Sequence, residues 1–231
     1  MNGTFRVPPP VNEPVLAYGP ASPEKKALKA KLTELRAQEL DIPLYIGGKE
    51  VRTGKTADCR PPHEHSLRIG RCHQAGPKEA HAAVQAALKA RKAWAATPWH
   101  ERAAVFLRAA EMLAGDWRWT LNAATMLCQS KSVYQAEIDS ACETIDFLRF
   151  NVRYAERLYA EQPASPKGVW NLMDYRPLEG FVFAVTPFNF TAIAANLPAA
   201  PVLMGNTVVW KPAASAVYTA HFLMRLWKAA G

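Results

Sequence analysis

The chain has 231 residues, 49% of them apolar and 21% charged, with 18 prolines and a formal net charge of +8. This composition suits a globular chain with a sizeable core and excludes disordered or collagen-like classes. No apolar run reaches the roughly 18–20 residues of a membrane helix, and the basic residues are too scattered for a nucleic-acid stripe, so neither partner is expected.

Residues 1–21 are Pro-rich and aperiodic, an arm that packs on the rest or is loose. Residues 1–10 contain one Arg and no apolar leader core, so no signal or clear transit peptide is read there. Cytoplasm is the expected compartment, with a mitochondrial matrix as the alternative. Ser22-Pro23-Glu24 is a helix start, a capping hydroxyl followed by Pro at the first helical position and an acid. The helix should run to about residue 38, with Leu28, Leu32 and Leu35 inward and Lys25, Lys26, Lys29 and Lys31 on a solvated face. Beyond Pro43, residues 44–46, Gly47-Gly48 and residues 49–53 read as a β-hairpin. Residues 66–73 read as an extended stretch whose alternation puts Leu67, Ile69 and Arg71 on one face. Cys59, His63, His65, Cys72 and His73 are close in sequence, but their spacing matches no standard zinc pattern, so no metal is expected. The four cysteines, Cys59, Cys72, Cys128 and Cys142, are too dispersed for a disulfide scaffold and are expected reduced.

Pro77 opens an Ala-rich helix with Val84, Ala87, Leu88, Arg91, Trp94 and Ala95 on one face, and Pro98 ends it. A second helix carries Ala103, Phe106, Leu107, Ala110, Leu113 and Ala114, with Gly115 as its C′ residue. A third covers residues 117–128. The longest, residues 132–161, carries Ile138, Ala141, Ile145, Leu148, Val152 and Ala155 at spacings of three and four. Past Pro163 and Pro166 the pattern changes. Residues 169–175 read as a strand. Residues 181–186 are apolar almost without alternation, as in a strand buried on both faces of a parallel sheet. An apolar stretch with Pro198 inside it, a Gly205-Asn206 turn, a second strand at 207–210 and a helix at 215–230 follow. Strand, crossover, strand and helix open a doubly wound α/β sheet. The expected fold is therefore α/β, with amino-terminal helices and a hairpin before the start of a Rossmann-like parallel sheet. The expected division is an arm and helix at 1–43, a helical part with the hairpin at 44–162, and the extended strand with the first βαβα unit at 163–231.

Open α/β sheets bind ligands beyond the carboxyl ends of their strands. Here those ends are Thr186-Pro187-Phe188-Asn189-Phe190-Thr191 and Trp210-Lys211-Pro212. Taken singly, Asn189 is a turn-former or a catalytic amide, and Lys211 a solvated strand end or a ligand contact. Taken together, with Met204-Gly205-Asn206-Thr207 between them, the two ends resemble the aldehyde dehydrogenase superfamily. The run Asn189-Phe190-Thr191-Ala192-Ile193, with Asn196-Leu197 and Ala200-Pro201, resembles its pyrroline-carboxylate dehydrogenases. Asn12-Glu13-Pro14-Val15-Leu16-Ala17, Gln135-Ala136-Glu137-Ile138-Asp139, Ile145-Asp146-Phe147-Leu148-Arg149-Phe150-Asn151 and Leu178-Glu179-Gly180-Phe181 extend the likeness from about residue 12 onward.

The resemblance implies NAD as cofactor, glutamate γ-semialdehyde as substrate, and a homo-oligomer when full length. In such enzymes a cysteine thiolate attacks the aldehyde, hydride leaves to NAD, and a glutamate-activated water releases the acid. By the same resemblance Asn189 stabilises the oxyanion, Thr186, Pro187 and Phe188 line the cofactor's path, and Lys211 bonds the adenosine ribose. Phe190 and Glu143 would contact the substrate; on pattern alone Glu143, beside Asp139 and Asp146, reads as part of a solvated acidic face. Three departures stand out. Ala213-Ala214 replaces the usual acid after Lys-Pro. Cys128-Gln129-Ser130-Lys131 stands where a Gly-Lys pair is usual. The family's nucleophilic cysteine and base glutamate fall downstream of Lys211, and none of the four cysteines here matches the nucleophile's motif. The chain is thus expected to cover the amino-terminal part of a dehydrogenase and to be inactive alone. Two alternatives are a non-catalytic homologue that binds a partner and another aldehyde dehydrogenase subfamily.

Overall fold

The computed structural model describes residues 5–231, and no helix among them is long and apolar enough to cross a membrane. The first four residues of the arm lie outside the described residues. Helix α1 (Pro23–Arg36) begins as its sequence requires: the Ser22 hydroxyl accepts the Lys25 N–H at 3.3 Å, with Pro23 next and Glu24 in the first turn. Leu28 and Leu35 are buried, and the helix packs on α4 (Trp117–Gln129).

Five short strands follow: β1 (Leu40–Ile42), β2 (Leu44–Ile46), β3 (Lys49–Val51), β4 (Thr56–Cys59) and β5 (Gly70–His73). The hairpin is β2–β3, its turn made by Gly47 at φ 57° and Gly48 at φ 77°. Strand β5 is the centre of a second sheet, with β1 parallel on one side and β4 antiparallel on the other. Gly70 is required at the crossing, because a Cβ there would meet the Leu40 carbonyl oxygen at 2.8 Å. The extended stretch expected from residue 66 is shorter. Residues 66–69 are irregular, with the Leu67 N–H bonded to Glu64 and the Ile69 N–H to Cys59. The facing order restarts at Gly70, so Ile69 is buried while Arg71 is exposed, and the two do not share a face. Pairing of β1 with β5 also joins residues 40–42 to the segment beyond residue 44.

Helices α2 (Pro77–Ala96) and α3 (Trp99–Ala114) are joined at Pro98. The expected face of α2 is rotated: Ala83, Ala86, Ala87, Ala90 and Trp94 line the trough beside the second parallel strand, and Leu88 is exposed. In α3, Ala103, Phe106, Ala110 and Leu113 are buried as the periodicity predicts. Gly115 caps α3 at φ −95°, so the left-handed C′ geometry expected there is not used. The left-handed position falls instead on Ser130, at φ 54°, where α4 ends. A non-glycine residue there costs about 1–2 kcal/mol. Ser130→Gly should therefore stabilise the chain by about 0.5–1 kcal/mol, after losing the exposed Ser130–His63 contact. A thermal melt with the midpoint unchanged or lowered would contradict this.

The longest helix is one rod of three parts: α5 (Val133–Ala136), a π-helical segment (Glu137–Glu143) and α6 (Thr144–Ala160). Ala141, Ile145, Leu148, Val152 and Ala155 form its core stripe. The wider π turn shifts the pattern upstream of them. Ile138 is only half-buried, and Glu137, Asp139 and Ser140 turn into the interior. Glu137 is 0% exposed. It is paired with Arg118, accepts the Tyr18 hydroxyl at 2.6 Å and the Leu16 N–H at 2.9 Å, and accepts the Asn122 amide at 2.8 Å. Burial works against its ionisation, but Arg118, Tyr18 and the Leu16 N–H outweigh it and hold the carboxyl below its ordinary range. Arg118 also reaches Glu13 at 2.6 Å, and Asp146 accepts the Glu13 N–H at 2.7 Å. The arm is thus packed, not loose, over residues 12–18.

Residues 169–175 do not form the expected strand. No strand among the described residues pairs with them, and Trp170 is 80% exposed. Their backbone is held locally, the Asn171 N–H by Ser165 and the Met173 N–H by Gln162. The parallel unit then appears in the predicted order: β6 (Val182–Val185), α7 (Thr191–Leu203), β7 (Val208–Lys211), a 3-10 turn (Ala214–Ala216) and α8 (Val217–Ala230). Val182 pairs with Val208 and Val185 with Lys211. Gly205, at φ 89°, makes the return turn. Burial of β6 on both faces is not seen. Ala184 is buried, whereas Phe183 is 60% and Val185 55% exposed, because no described element covers that side of the strand. The core lies among the helices, where Leu113, Leu121, Ile145, Leu223 and Leu226 are fully buried.

Candidate functional site

The β6 ladder ends when Pro187 removes a backbone donor. The last backbone link is the Thr186 N–H to the Lys211 carbonyl at 3.2 Å, and the Trp210 indole N–H donates to the Thr186 hydroxyl at 2.9 Å. Thr186, Pro187 and Lys211 are therefore brought together at the carboxyl end of the parallel pair. The Lys211 side chain is exposed there. It borders a cleft of about 970 Å³ lined by Lys55, Cys59, His73, Trp210, Ser215 and Tyr218, among others. Phe188 and Asn189 form a bend and are exposed. Asn189 makes no side-chain hydrogen bond with the described residues, so its amide is available to a ligand.

Helix α7 starts immediately after this bend. Its N-cap, Phe190, has no side-chain acceptor. The acceptor comes from the π-helical segment: Asp139, 2% exposed, takes the N–H groups of both Thr191 and Ala192 at 3.1 Å. Lys131 pairs with Asp139, and its ammonium lies 4.2 Å from the Phe190 ring centroid. The Thr191 hydroxyl is held by Thr125 at 2.8 Å and by the Gln129 amide at 2.9 Å. Glu143 is half-buried on the same rod as Asp139 and has no ion-pair partner among the described residues. Burial pushes its carboxyl up, the Asp139 carboxylate adds to this, and Lys131 opposes it. Phe190 and Glu143 thus belong to one cluster with Asp139 and Lys131, next to the Asn189 bend.

The solvated acidic face read at Asp139, Glu143 and Asp146 is corrected: Asp139 is buried and Asp146 is engaged by Asn12 and Glu13. The sequence reading missed Asp139 and Lys131 as site residues. The available signal was an acid four residues before Glu143 on a helix whose apolar stripe begins there. The cysteines are all buried. Cys128 bonds the Ser215 carbonyl and Cys142 the Pro14 carbonyl; burial pushes the Cys142 thiol up to about 12. Among the described residues, no group of three or more His, Cys, Asp or Glu could hold a metal ion. His73 accepts the Thr53 and Gly54 N–H groups, and His63 faces Ser130.

The arrangement offers an exposed amide at a bend, a half-buried carboxylate with no ion-pair partner among the described residues, an aromatic ring and, across the strand ends, a cation beside a cleft. Comparison with known proteins gives the relatives of the chain that carries it. The model of the aldehyde dehydrogenase family matches residues 50–231. A delta-1-pyrroline-5-carboxylate dehydrogenase of Agaricus bisporus is 48% identical over 230 residues, 99% of this chain and 42% of the relative. A mitochondrial one of Emericella nidulans is 49% identical over 216 residues, 93% of this chain and 38% of the relative. The crystal structure of the Mycobacterium tuberculosis delta-pyrroline-5-carboxylate dehydrogenase bound with NAD superposes with a TM-score of 0.98 at 53% identity, covering 100% of this chain and 43% of that one. The chain spans about two fifths of the length of the relatives it matches.

Proposed function

Because this chain belongs to the aldehyde dehydrogenase family, we propose that it is the amino-terminal portion of an NAD-dependent L-glutamate γ-semialdehyde (Δ1-pyrroline-5-carboxylate) dehydrogenase. The observation that carries this reading is the likeness to pyrroline-carboxylate dehydrogenases along almost the whole chain, 53% identical to one bound with NAD. The overall change is oxidation of the semialdehyde, with water, to the glutamate carboxylate, with two electrons and a proton passing to NAD as hydride and two protons released to solvent. In this reading 44–162 is the helical part of the cofactor domain and 163–231 its first βαβα unit, after the arm and helix at 1–43. The full-length protein is a homo-oligomer of the cytoplasm or mitochondrial matrix.

The residues at the strand ends suit the cofactor. The carboxyl end of a parallel pair opens on a cleft, with Lys211 at its border and the Thr186 hydroxyl fixed by Trp210. Lys211 would bond the adenosine ribose, and Thr186, Pro187 and Phe188 would line the path toward the nicotinamide. NAD, when bound, supplies the hydride acceptor. Asn189 would donate its amide N–H to the oxygen of the aldehyde as negative charge develops. Glu143 would pair with the substrate's ammonium group and Phe190 would pack on its carbon chain. The thiol nucleophile is assigned to the carboxyl-terminal portion, since the four cysteines here are buried.

The test is semialdehyde-dependent NAD reduction by the full-length protein, which this reading requires. Within it, Glu143→Ala should raise KM for the semialdehyde roughly 10–100-fold, the worth of one charged hydrogen bond, with little change in NAD affinity. Lys211→Ala should do the reverse, weakening NAD binding roughly tenfold. An unchanged KM in the first variant would remove Glu143 from the substrate site.

A further inference from the structure

We propose that Asp139 is a positioning residue for the reaction, anchoring the amino end of α7 so that the Asn189 bend and Phe190 keep a fixed place beside Glu143. The inference rests on the function proposed above. The bend is a short bridge between two fixed points. At one end Thr186 is tied to β7 through the Lys211 carbonyl. At the other, Thr191 and Ala192 donate their N–H groups to the two oxygens of Asp139. Between them Phe188 and Asn189 make no side-chain hydrogen bond with the described residues, and Phe190 cannot cap its own helix.

A carboxylate suits the position for two reasons. Each of its oxygens satisfies one otherwise unpaired donor of the first turn, and its charge opposes the positive end of the helix dipole. Charge in a buried place requires a counter-charge. Lys131 provides it and uses the same ammonium to cover the Phe190 ring. The π-helical segment brings this carboxylate inward while leaving Glu143, four residues on, half-exposed toward the site. One buried side chain therefore connects the groups assigned to the oxyanion and to the substrate.

Asp139→Asn in the full-length protein tests this. The substitution keeps the size and one acceptor but presents an NH2 to one of the two N–H groups and leaves Lys131 without its partner charge. The expected result is a kcat at least tenfold below the parent with NAD affinity within twofold, and amide exchange at Thr191 and Ala192 accelerated at least tenfold. A residue that served folding alone would lower the melting temperature and leave kcat unchanged where the protein is fully folded. Lys131→Gln, which keeps Asp139 hydrogen-bonded, is the second variant should Asp139→Asn fail to fold, and kcat should fall in it too. A kcat within twofold of the parent in the folded variant overturns the positioning role and leaves the function intact. A parent with no semialdehyde-dependent turnover overturns the function itself, and the inference with it.

Discussion

Glu137→Ala is expected to lower the unfolding free energy by about 3–5 kcal/mol, the typical result of removing one partner from a buried ion pair. Domain stabilities are only about 5–15 kcal/mol, so the loss should be visible as a large drop in the urea midpoint. Arg118 would keep Glu13, but Tyr18, Asn122 and the Leu16 N–H would lose a shared acceptor in a place closed to water. The sign of the pH dependence follows from the depressed carboxyl of Glu137. Its contribution is present above the ordinary carboxylate pKa and is lost as pH falls through the depressed folded value. The variant should therefore be less acid-sensitive than the parent in that range. A midpoint shift worth under 1 kcal/mol would show that the network is peripheral to stability.

The second large effect concerns catalysis. In the full-length protein Asn189→Ala should reduce kcat roughly 10²–10³-fold, the usual result of deleting one oxyanion donor, with a much smaller change in NAD affinity. Asn189 is exposed in its bend and has no hydrogen-bond partner among the described residues to lose. Stability should thus stay within about 0.5 kcal/mol of the parent, as for a surface substitution. That separation of kcat from stability is the useful part of the measurement. A kcat within twofold of the parent would leave Asn189 as a turn-former only.

Local chemistry made part of this fold readable. Ser22 and Pro23 mark the start of α1, Gly47 and Gly48 mark the hairpin, and the apolar strand, crossover and strand mark the parallel pair. Each signal lies within a few residues of what it determines. The failures depend on partners distant in the chain. Strands β1 and β4 have three and four residues and exist through their pairing with β5. Residues 169–175 have strand composition but no strand among the described residues to pair with. The π-helical segment turned Glu137 and Asp139 inward, where a 3.6-residue period left them out of the core. The site shows the same division. The strand ends were visible at Thr186 and Lys211, whereas Asp139 and Lys131 act on residues more than fifty positions away.

The arm has a temporal consequence. Its contacts with α4, the π segment and α6 join residues separated by 104 to 138 positions. At a synthesis rate of about 5–20 residues per second, the arm would wait roughly 5–28 s for its partners to be made. During that interval Leu16 and Tyr18 have nowhere to dock, and α1 can form before the segment preceding it is secured. Closure of the arm thus has to follow synthesis of α6, and until then the segment from Val11 to Tyr18 is open to proteases and chaperones.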